Sequence, residues 1–555
     1  MANVSDPTAA ALAKSLSDPC VRRFIPPTRV VWTSAHNVAG AENLLRDDAD
    51  VCKLSPAGAE ADRAAILIDF GTELHGGIRI HADAASVHRP TRVRIRFGES
   101  VAEAMGTPNN DHAIHDYTTE VAWMGRTEIG TTGFRFVRID LLDDESVLPI
   151  RYVEAVLLFR DMPKLGTFES SDPRLNRIFD VGAWTVQLCC QDHIWDGIKR
   201  DRLVWIGDLH PEAMVVSSVF GNQPIVQTTL DWARDRTPLP GWMNGISSYS
   251  LWWLISQRDW FAAQGNLDYL KQQQAYLLGL LKQVEACVDA EGVEHLADWR
   301  FLEWPTSGDP IAVHAGLQGL TVLALRAGAE LSAALGRNKE SSEAAAVADR
   351  AARATISPAS ASKQANALLA LAGIVDPKSA NETILSVDPY RGLSTFYGYY
   401  VLQARAMAGD YQGAVDLIRT YWGGMLDAGA TTFWEGFEID WLATGSPIDQ
   451  LPTPGKPDIH SDFGDYCYQG LRHSLCHGWA AGPTAWLLQH ILGVAPASPG
   501  CKTVTIQPHL ADLAYARGTY PTTHGLIHVD ARRRPDGTVH TEVKLPEGVR
   551  QVAPV

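Results

Sequence analysis

At 555 residues, 46% hydrophobic and 20% charged, the chain is too long for one ordinary domain and too apolar for wholesale disorder. Its 64 acidic against 48 basic residues leave a formal charge of −16, which excludes the basic face that nucleic-acid phosphates need and disfavours an anionic membrane surface. The eight cysteines form no CxxC pair of the kind that marks a zinc site or redox motif, and no run of 18 uninterrupted apolar residues reads as a membrane span.

The first twenty residues lack the basic start and apolar centre of a secretory signal. A reduced, cytoplasmic protein is therefore expected. Residues 1–165 read as a β-sandwich domain. Ala65–Phe70, the glycines at 71, 76 and 77, and Ile78–Ile80 read as strand, turn and strand. Thr91–Phe97 alternates cleanly, with Val93, Ile95 and Phe97 on one face and Arg92, Arg94 and Arg96 on the other. Phe134–Leu141 and Tyr152–Phe159 complete the strand-like runs.

From Ser171–Asp172–Pro173 the period changes to that of helices. Helical segments then succeed one another at 211–220, 249–263, 267–288, 313–335, 341–355, 362–372, 396–408, 411–425 and 482–492. Their number and spacing over residues 166–495 fit an α/α barrel of paired inner and outer helices. Residues 496–555 return to β, with strands expected at 503–506, 526–529 and 539–543. The fold class is thus multidomain α and β, a helical barrel flanked by two β-sandwich domains.

Seventeen tryptophans crowd the middle of the chain, and exposed indole faces suit the C–H faces of sugars. The densest group of reactive side chains is 195–208 (WDGIKRDRLVWIGD), where Asp196, Asp201 and Asp208 interleave with Lys199, Arg200, Arg202 and Trp205. A second group, 431–440 (TTFWEGFEID), holds Trp434, Glu435 and Glu438. On a helix the two glutamates would share a face. A third, 297–314, holds Trp299, Glu303 and Trp304, and His477 stands just before the last long helix. Carboxylates from distant parts of a barrel, walled by aromatics, suit glycoside hydrolysis: one acid protonates the leaving oxygen and one carboxylate activates water or attacks. No HExxH, GxSxG or P-loop pattern offers another chemistry.

The 196–208 stretch resembles the signature of the bacterial α-L-rhamnosidases of glycoside hydrolase family 78, matching it at Asp196, Arg200, Arg202, Leu203, Trp205, Gly207 and Asp208. The resemblance extends to Phe97–Gly98–Glu99, to 133–137 (GFRFV), to 166–176, to Thr432–Phe433–Trp434–Glu435 and to Ser474–His477. It implies an (α/α)6 catalytic barrel and an inverting, exo-acting release of terminal L-rhamnose. Asp201 would then be the general acid and Glu435 the general base, with Glu438 the rival base one helical turn along. Asp196, Arg200, Trp205, Asp208, Trp253, Trp299, Glu303, Trp304, Trp434 and His477 would contact the sugar. No cofactor or metal is implied. The partner expected is a small rhamnosyl oligosaccharide or glycoside, and self-association into a homodimer is left open.

The chain departs from the family pattern in three places. Asp201 stands where many members have glutamate, Gly197–Ile198–Lys199 replaces Cys-Pro-Gln, and Val204 replaces the glycine after the leucine. Another exo-glycosidase on the same barrel is the alternative activity, and a non-catalytic sugar-binding relative is the alternative from another class.

Overall fold

The computed structural model describes residues 18–46, 50–106, 115–356 and 360–553. Most of the stretch read for a signal segment lies outside them. The N-terminal region is one nine-stranded antiparallel sheet. Its long strands, Ala65–Ala82, Gly125–Leu141 and Leu148–Arg160, change partners along their length. The sheet therefore folds over a core that includes Ile66, Ile68, Val93, Ile95, Phe97, Val137 and Ile139.

Ala65–Ala82 corrects the expected strand–turn–strand. The chain does not reverse, and the register instead slips between Asp69 and Leu74 and again between Gly76 and Ile78. Gly76, at φ +141°, is required there, because a Cβ would lie 1.9 Å from the Val156 carbonyl oxygen. The alternation in Thr91–Gly98 puts Val93, Ile95 and Phe97 inward as expected, but the arginine face is only partly solvated. Arg96 is buried against Asp140 at 3.2 Å.

Among the described residues twelve principal helical segments follow, alternating between partly exposed and almost fully buried. Asp172 caps the first, Pro173–Cys189, by accepting from the Arg174 and Leu175 amides, with proline at its first position. The buried set is 209–220, 247–264, 310–334, 363–371, 398–407 and 482–491, which makes six hairpins around a common axis. Helices 224–236 and 377–385 were not among the expected segments. The first sets two threonines and four charged residues beside its stripe of Ile225, Val226, Leu230 and Ala233, and the second is nine residues long. Pro310–Ala334 has the length and composition to cross a membrane, yet 78% of its most apolar window is buried among other helices.

The C-terminal sheet takes in a strand from far upstream. Thr167–Ser170 pairs antiparallel with Tyr515–Thr522, which continues to Gly525–Arg533 and Val539–Lys544. The chain thus lays one strand of its last domain just before it enters the barrel. The sheet domain at the other end is equally interlocked. Leu188, Cys189, Ile198 and Cys476, all from the barrel region, belong to its hydrophobic core. That shared core brings the 196–208 loop against the sheet.

Candidate active site

The 196–208 loop leaves helix Pro173–Cys189 and re-enters helix at Leu209. Between them it is held by its neighbours rather than by its own periodicity. Gly197 pairs with His477, the Ile198 carbonyl accepts from the Gly133 amide (2.8 Å), and the Lys199 carbonyl faces His115 Nε2 (3.0 Å). Asp201 and Arg202 both adopt left-handed backbone, φ +56° and +53°, a conformation that side chains other than glycine's seldom take and that concentrates at functional sites. The paired turn sends Arg200 inward and Arg202 outward to the Thr131 carbonyl at 2.9 Å.

The second carboxylate segment, 431–440, is a loop and not a helix. Its amides find partners on other segments: Phe433 N–H donates to Thr185 Oγ1, Glu435 N–H to the Ser474 carbonyl and Gly436 N–H to His473 Nε2. Glu435 and Glu438 therefore do not share a helical face; both line one small cavity, and of the two only Glu435 also lines the larger one.

A cavity of about 300 Å³ at one end of the barrel is lined by Asp196, Arg200, Asp201, Trp205, Asp208, Trp299, Trp304, Glu435 and His477, all expected. Tyr249, Phe301, Arg472 and Trp479 also line it and were not among the expected site residues. Trp479 lies two residues past His477 and was legible in that motif. Tyr249 had only the local aromatic density to mark it, and Gly207 is the counterpart that admits it, since a Cβ there would lie 2.2 Å from the Tyr249 ring.

Three expected residues are placed elsewhere. Trp253 is wholly buried among helices, its indole N–H donating to the Leu230 carbonyl at 3.1 Å and its ring set edge-on to Tyr276. Trp434 is wholly buried behind the loop, packed on Phe437 and His473. Both rings serve packing, because each is the largest side chain available to fill its gap. Glu303 lines a separate small cavity of about 40 Å³ together with Glu438, Tyr466 and Tyr468. Glu435 and Trp479 form the wall common to the two cavities. Burial pushes Glu303 up to about 8 and Glu438 up to about 7.

The charges in the main cavity are unbalanced. Arg200 Nη2 donates to both Glu435 oxygens at 2.5 Å, its Nη1 to Asp201 Oδ2 at 3.1 Å, and its Nε to the Arg472 carbonyl at 2.8 Å. One guanidinium thus joins the two expected catalytic carboxylates, and its donors are spent on the protein rather than left for a sugar. Burial drives Glu435 above the usual carboxylate range, and Arg200 opposes that rise. Burial, with the neighbouring carboxylates, holds Asp196 and Asp208 well above theirs.

Asp196 accepts from the Leu203 amide at 2.9 Å through one oxygen, and Asp208 Oδ1 has no partner. His477 Nε2 stands 3.9, 3.8 and 3.7 Å from Asp196, Asp208 and Glu435, a spacing that a single hydroxyl bridges better than direct contact does. Burial, reinforced by Arg200, keeps this imidazole neutral. Trp299, 47% exposed, stands at the mouth against Trp304 and Phe301. The arrangement offers buried acceptors for a polyol, an aromatic rim, and a carboxylate pair joined by one arginine.

Comparison with known proteins agrees with this fold. Residues 163–354 match the bacterial α-L-rhamnosidase six-hairpin glycosidase domain, and residues 493–553 match the bacterial α-L-rhamnosidase C-terminal domain. An α-L-rhamnosidase of Alteromonas sp. (strain LOR) is 22% identical over 539 residues, covering 88% of this chain and 56% of its own. A family 78 rhamnosidase of Bacillus sp. GL1 superposes with a TM-score of 0.72 at 23% identity, over 92% of this chain and 56% of the other. A Klebsiella oxytoca rhamnosidase with rhamnose bound superposes at 0.65 and 20% identity, over 86% and 97%. The chain spans a little over half the length of the Alteromonas and Bacillus proteins.

Proposed function

We propose that this chain, whose residues 163–354 and 493–553 match the six-hairpin glycosidase and C-terminal domains of bacterial α-L-rhamnosidases, is an exo-acting glycoside hydrolase that releases terminal L-rhamnose with inversion. The observation that carries this reading is the pairing of Asp201 and Glu435 through Arg200 in a cavity that also holds Asp196, Asp208 and His477. Asp201 protonates the departing oxygen, being the most exposed carboxylate of the group at 28% against 3–5% for Asp196, Asp208 and Glu435. The leaving group must depart toward solvent, and so past this residue. Glu435, held by Arg200 and the Ser474 amide (3.3 Å), takes a proton from the attacking water. Inverting pairs stand about 6.5–9.5 Å apart to admit that water, a gap compatible with one intervening guanidinium and its hydrogen bonds.

Asp196 and Asp208 accept from sugar hydroxyls, whose burial would be costly without such partners. A cavity of about 300 Å³ is at the low end of ligand sites, about 300–1,000 Å³, and suits a single terminal sugar. Rhamnose-bound relatives of the same fold support the choice of sugar. The eight unpaired cysteines are in keeping with action in a reducing, cytoplasmic setting on short rhamnosyl glycosides. Proton NMR during hydrolysis of p-nitrophenyl α-L-rhamnoside tests the proposal. The β-anomer should appear first; first appearance of the α-anomer rejects inversion, and no hydrolysis of any α-L-rhamnoside rejects the activity.

A further inference from the structure

Lys199 occupies a position where this chain departs from its family, and its side chain does not reach the sugar cavity. It is 1% exposed and lies where the N-terminal sheet domain meets the barrel. Its ammonium donates to the carbonyls of Leu471 (2.8 Å) and His473 (2.7 Å) and stands 3.2 Å from Glu99 and 3.4 Å from Glu103. Glu99 directly follows the sheet strand Thr91–Gly98, and Glu103 is on the short helix Val101–Met105 that comes next. Both carboxylates are fully buried. Each also holds backbone, Glu99 accepting from the Leu475 amide at 2.6 Å and Glu103 from the Glu99 amide at 2.8 Å.

His460 completes the surroundings. Its Nδ1 meets Ser100 Oγ at 2.7 Å, and its Nε2 donates to the His473 carbonyl at 2.8 Å. Glu99, Glu103 and His460 bring three possible ligand atoms within 4.8 Å of one another, as a metal site would. Here the cation among them is the lysine's own.

The next residue is the link to the chemistry. Arg200 donates to the Arg472 carbonyl at 2.8 Å, so Lys199 and Arg200 between them grip the carbonyls of 471, 472 and 473. Beyond that grip, Arg200 holds Glu435 and Asp201. The Ser474 amide reaches Glu435 from the far side of the same segment. A buried ammonium with two carboxylates and two carbonyls has one low-energy place to sit. The backbone of residues 199–200 is therefore anchored to the sheet domain.

We propose that Lys199 is a positioning residue: its ammonium, seated on Glu99 and Glu103 of the sheet domain, sets the placement of Arg200 and through it the geometry of the Asp201–Glu435 pair. The sheet domain then belongs to the catalytic apparatus, although none of its residues lines the cavity. The proposal rests on the acid and base roles assigned above.

The test compares the full chain with Lys199→Met and, to limit the charge left unbalanced, with Lys199→Met/Glu103→Gln, each checked by circular dichroism and assayed well below its unfolding temperature. Both variants should lose at least about tenfold in kcat with KM changed less than about threefold, since the sugar-binding carboxylates are untouched. The acid limb of their kcat–pH profile should move to higher pH, because Glu435 is faced by Asp196, Asp201, Asp208 and a neutral His477, and Arg200 is the cation that opposes its burial. A merely structural lysine would lower the unfolding temperature and the active fraction and leave that limb in place.

Lys199→Ala supplies a second arm. Manganese(II) added to it should bind between Glu99, Glu103 and His460, raise its unfolding temperature and restore part of the lost kcat, with no effect on the parent protein. A folded Lys199→Met variant with kcat within threefold of the parent overturns the proposal. If neither methionine variant folds, Glu103→Gln decides: an unchanged kcat and pH profile overturns it, and a several-fold loss with the shifted limb supports it. A parent protein that cleaves no α-L-rhamnoside rejects the functional reading instead, and the two failures are told apart.

Discussion

Two clusters of buried charge lie back to back across the 196–208 loop, one closed around a lysine and the other open to the cavity. Behind the loop, Glu99 and Glu103 surround the Lys199 ammonium, and the remaining lysine hydrogens go to carbonyls. In front of it, Asp196, Asp201, Asp208 and Glu435 share a single arginine and a neutral histidine. A buried carboxylate is costly unless paired or protonated. The rear cluster meets part of that cost with its own cation, although burial still raises Glu99, Glu103 and the neighbouring Glu73, and Glu99 Oε1 has no partner. The front cluster leaves it partly unmet, with Asp208 Oδ1 unpartnered and both Asp196 and Asp208 driven upward. Unmet acceptors on a cavity wall are what hydroxyls of a bound sugar can satisfy. The contrast is one of access rather than of burial: a closed cluster braces structure, and an open one binds.

The sharpest way to break this contrast is to neutralise the base. Glu435→Gln should lower kcat by about a thousandfold or more on every substrate, since water activation does not depend on the leaving group. Asp201→Asn should cost about 10²–10⁴-fold on a rhamnosyl disaccharide but far less on a dinitrophenyl rhamnoside, whose leaving group needs no proton. Steady-state kinetics on the two substrates separates the roles. If that dependence on leaving group appears in Asp208→Asn instead, the acid is Asp208.

A binding effect of middle size should follow in the open cluster. Asp196→Asn or Asp208→Asn should raise KM about tenfold or more, the lost charged hydrogen bond being worth roughly 1.5–3 kcal/mol. An unchanged KM would mean that the unmet acceptors of the front cluster are not there for the sugar. The pH dependence of kcat/KM carries the same argument. Glu435 must be ionised to act and is raised by burial, so activity should fall as pH drops through a value above the ordinary 4.5.

The smallest effect concerns Glu303, whose carboxyl lies in the adjoining cavity. Its folded pKa of about 8 exceeds its unfolded value, so the folded state keeps a proton that the unfolded chain releases. Stability is therefore lost as pH rises from about 4.5 to about 8. Glu303→Gln should add on the order of 1 kcal/mol or more at pH 8 and nothing below about pH 4.5, with KM changed less than threefold. Thermal melts at the two pH values check the sign. A large rise in KM would return Glu303 to the sugar site.

How much of this was legible in the chain depends on whether a signal was local. The arginine-interleaved carboxylates of 196–208 and the β–α–β order follow from residues near in sequence, through alternation, caps and helical period. So do ten of the twelve helices. The helices at 224–236 and 377–385 escaped because the first is rich in charged and hydroxyl side chains and the second is short, so that tertiary packing does much to hold them. The spacing of the two glutamates in 431–440 would put them on one face if the segment were helical, but Phe433, Glu435 and Gly436 bond to Thr185, Ser474 and His473, partners that spacing cannot reveal.

The sequence by itself thus determined the class of fold, the family resemblance and most of the side chains that line the cavity. Only the tertiary structure decided which tryptophans face the cavity and which fill the core, since Trp253 and Trp299 have the same chemistry and differ only in what surrounds them. It also decided that Arg200 serves the carboxylate pair and that Lys199 looks away from the sugar toward the sheet. The physical reason is that a charge acquires its role from the partners within a few ångströms of it. For Lys199 those partners lie about 100 residues before it and about 270 after it in the chain.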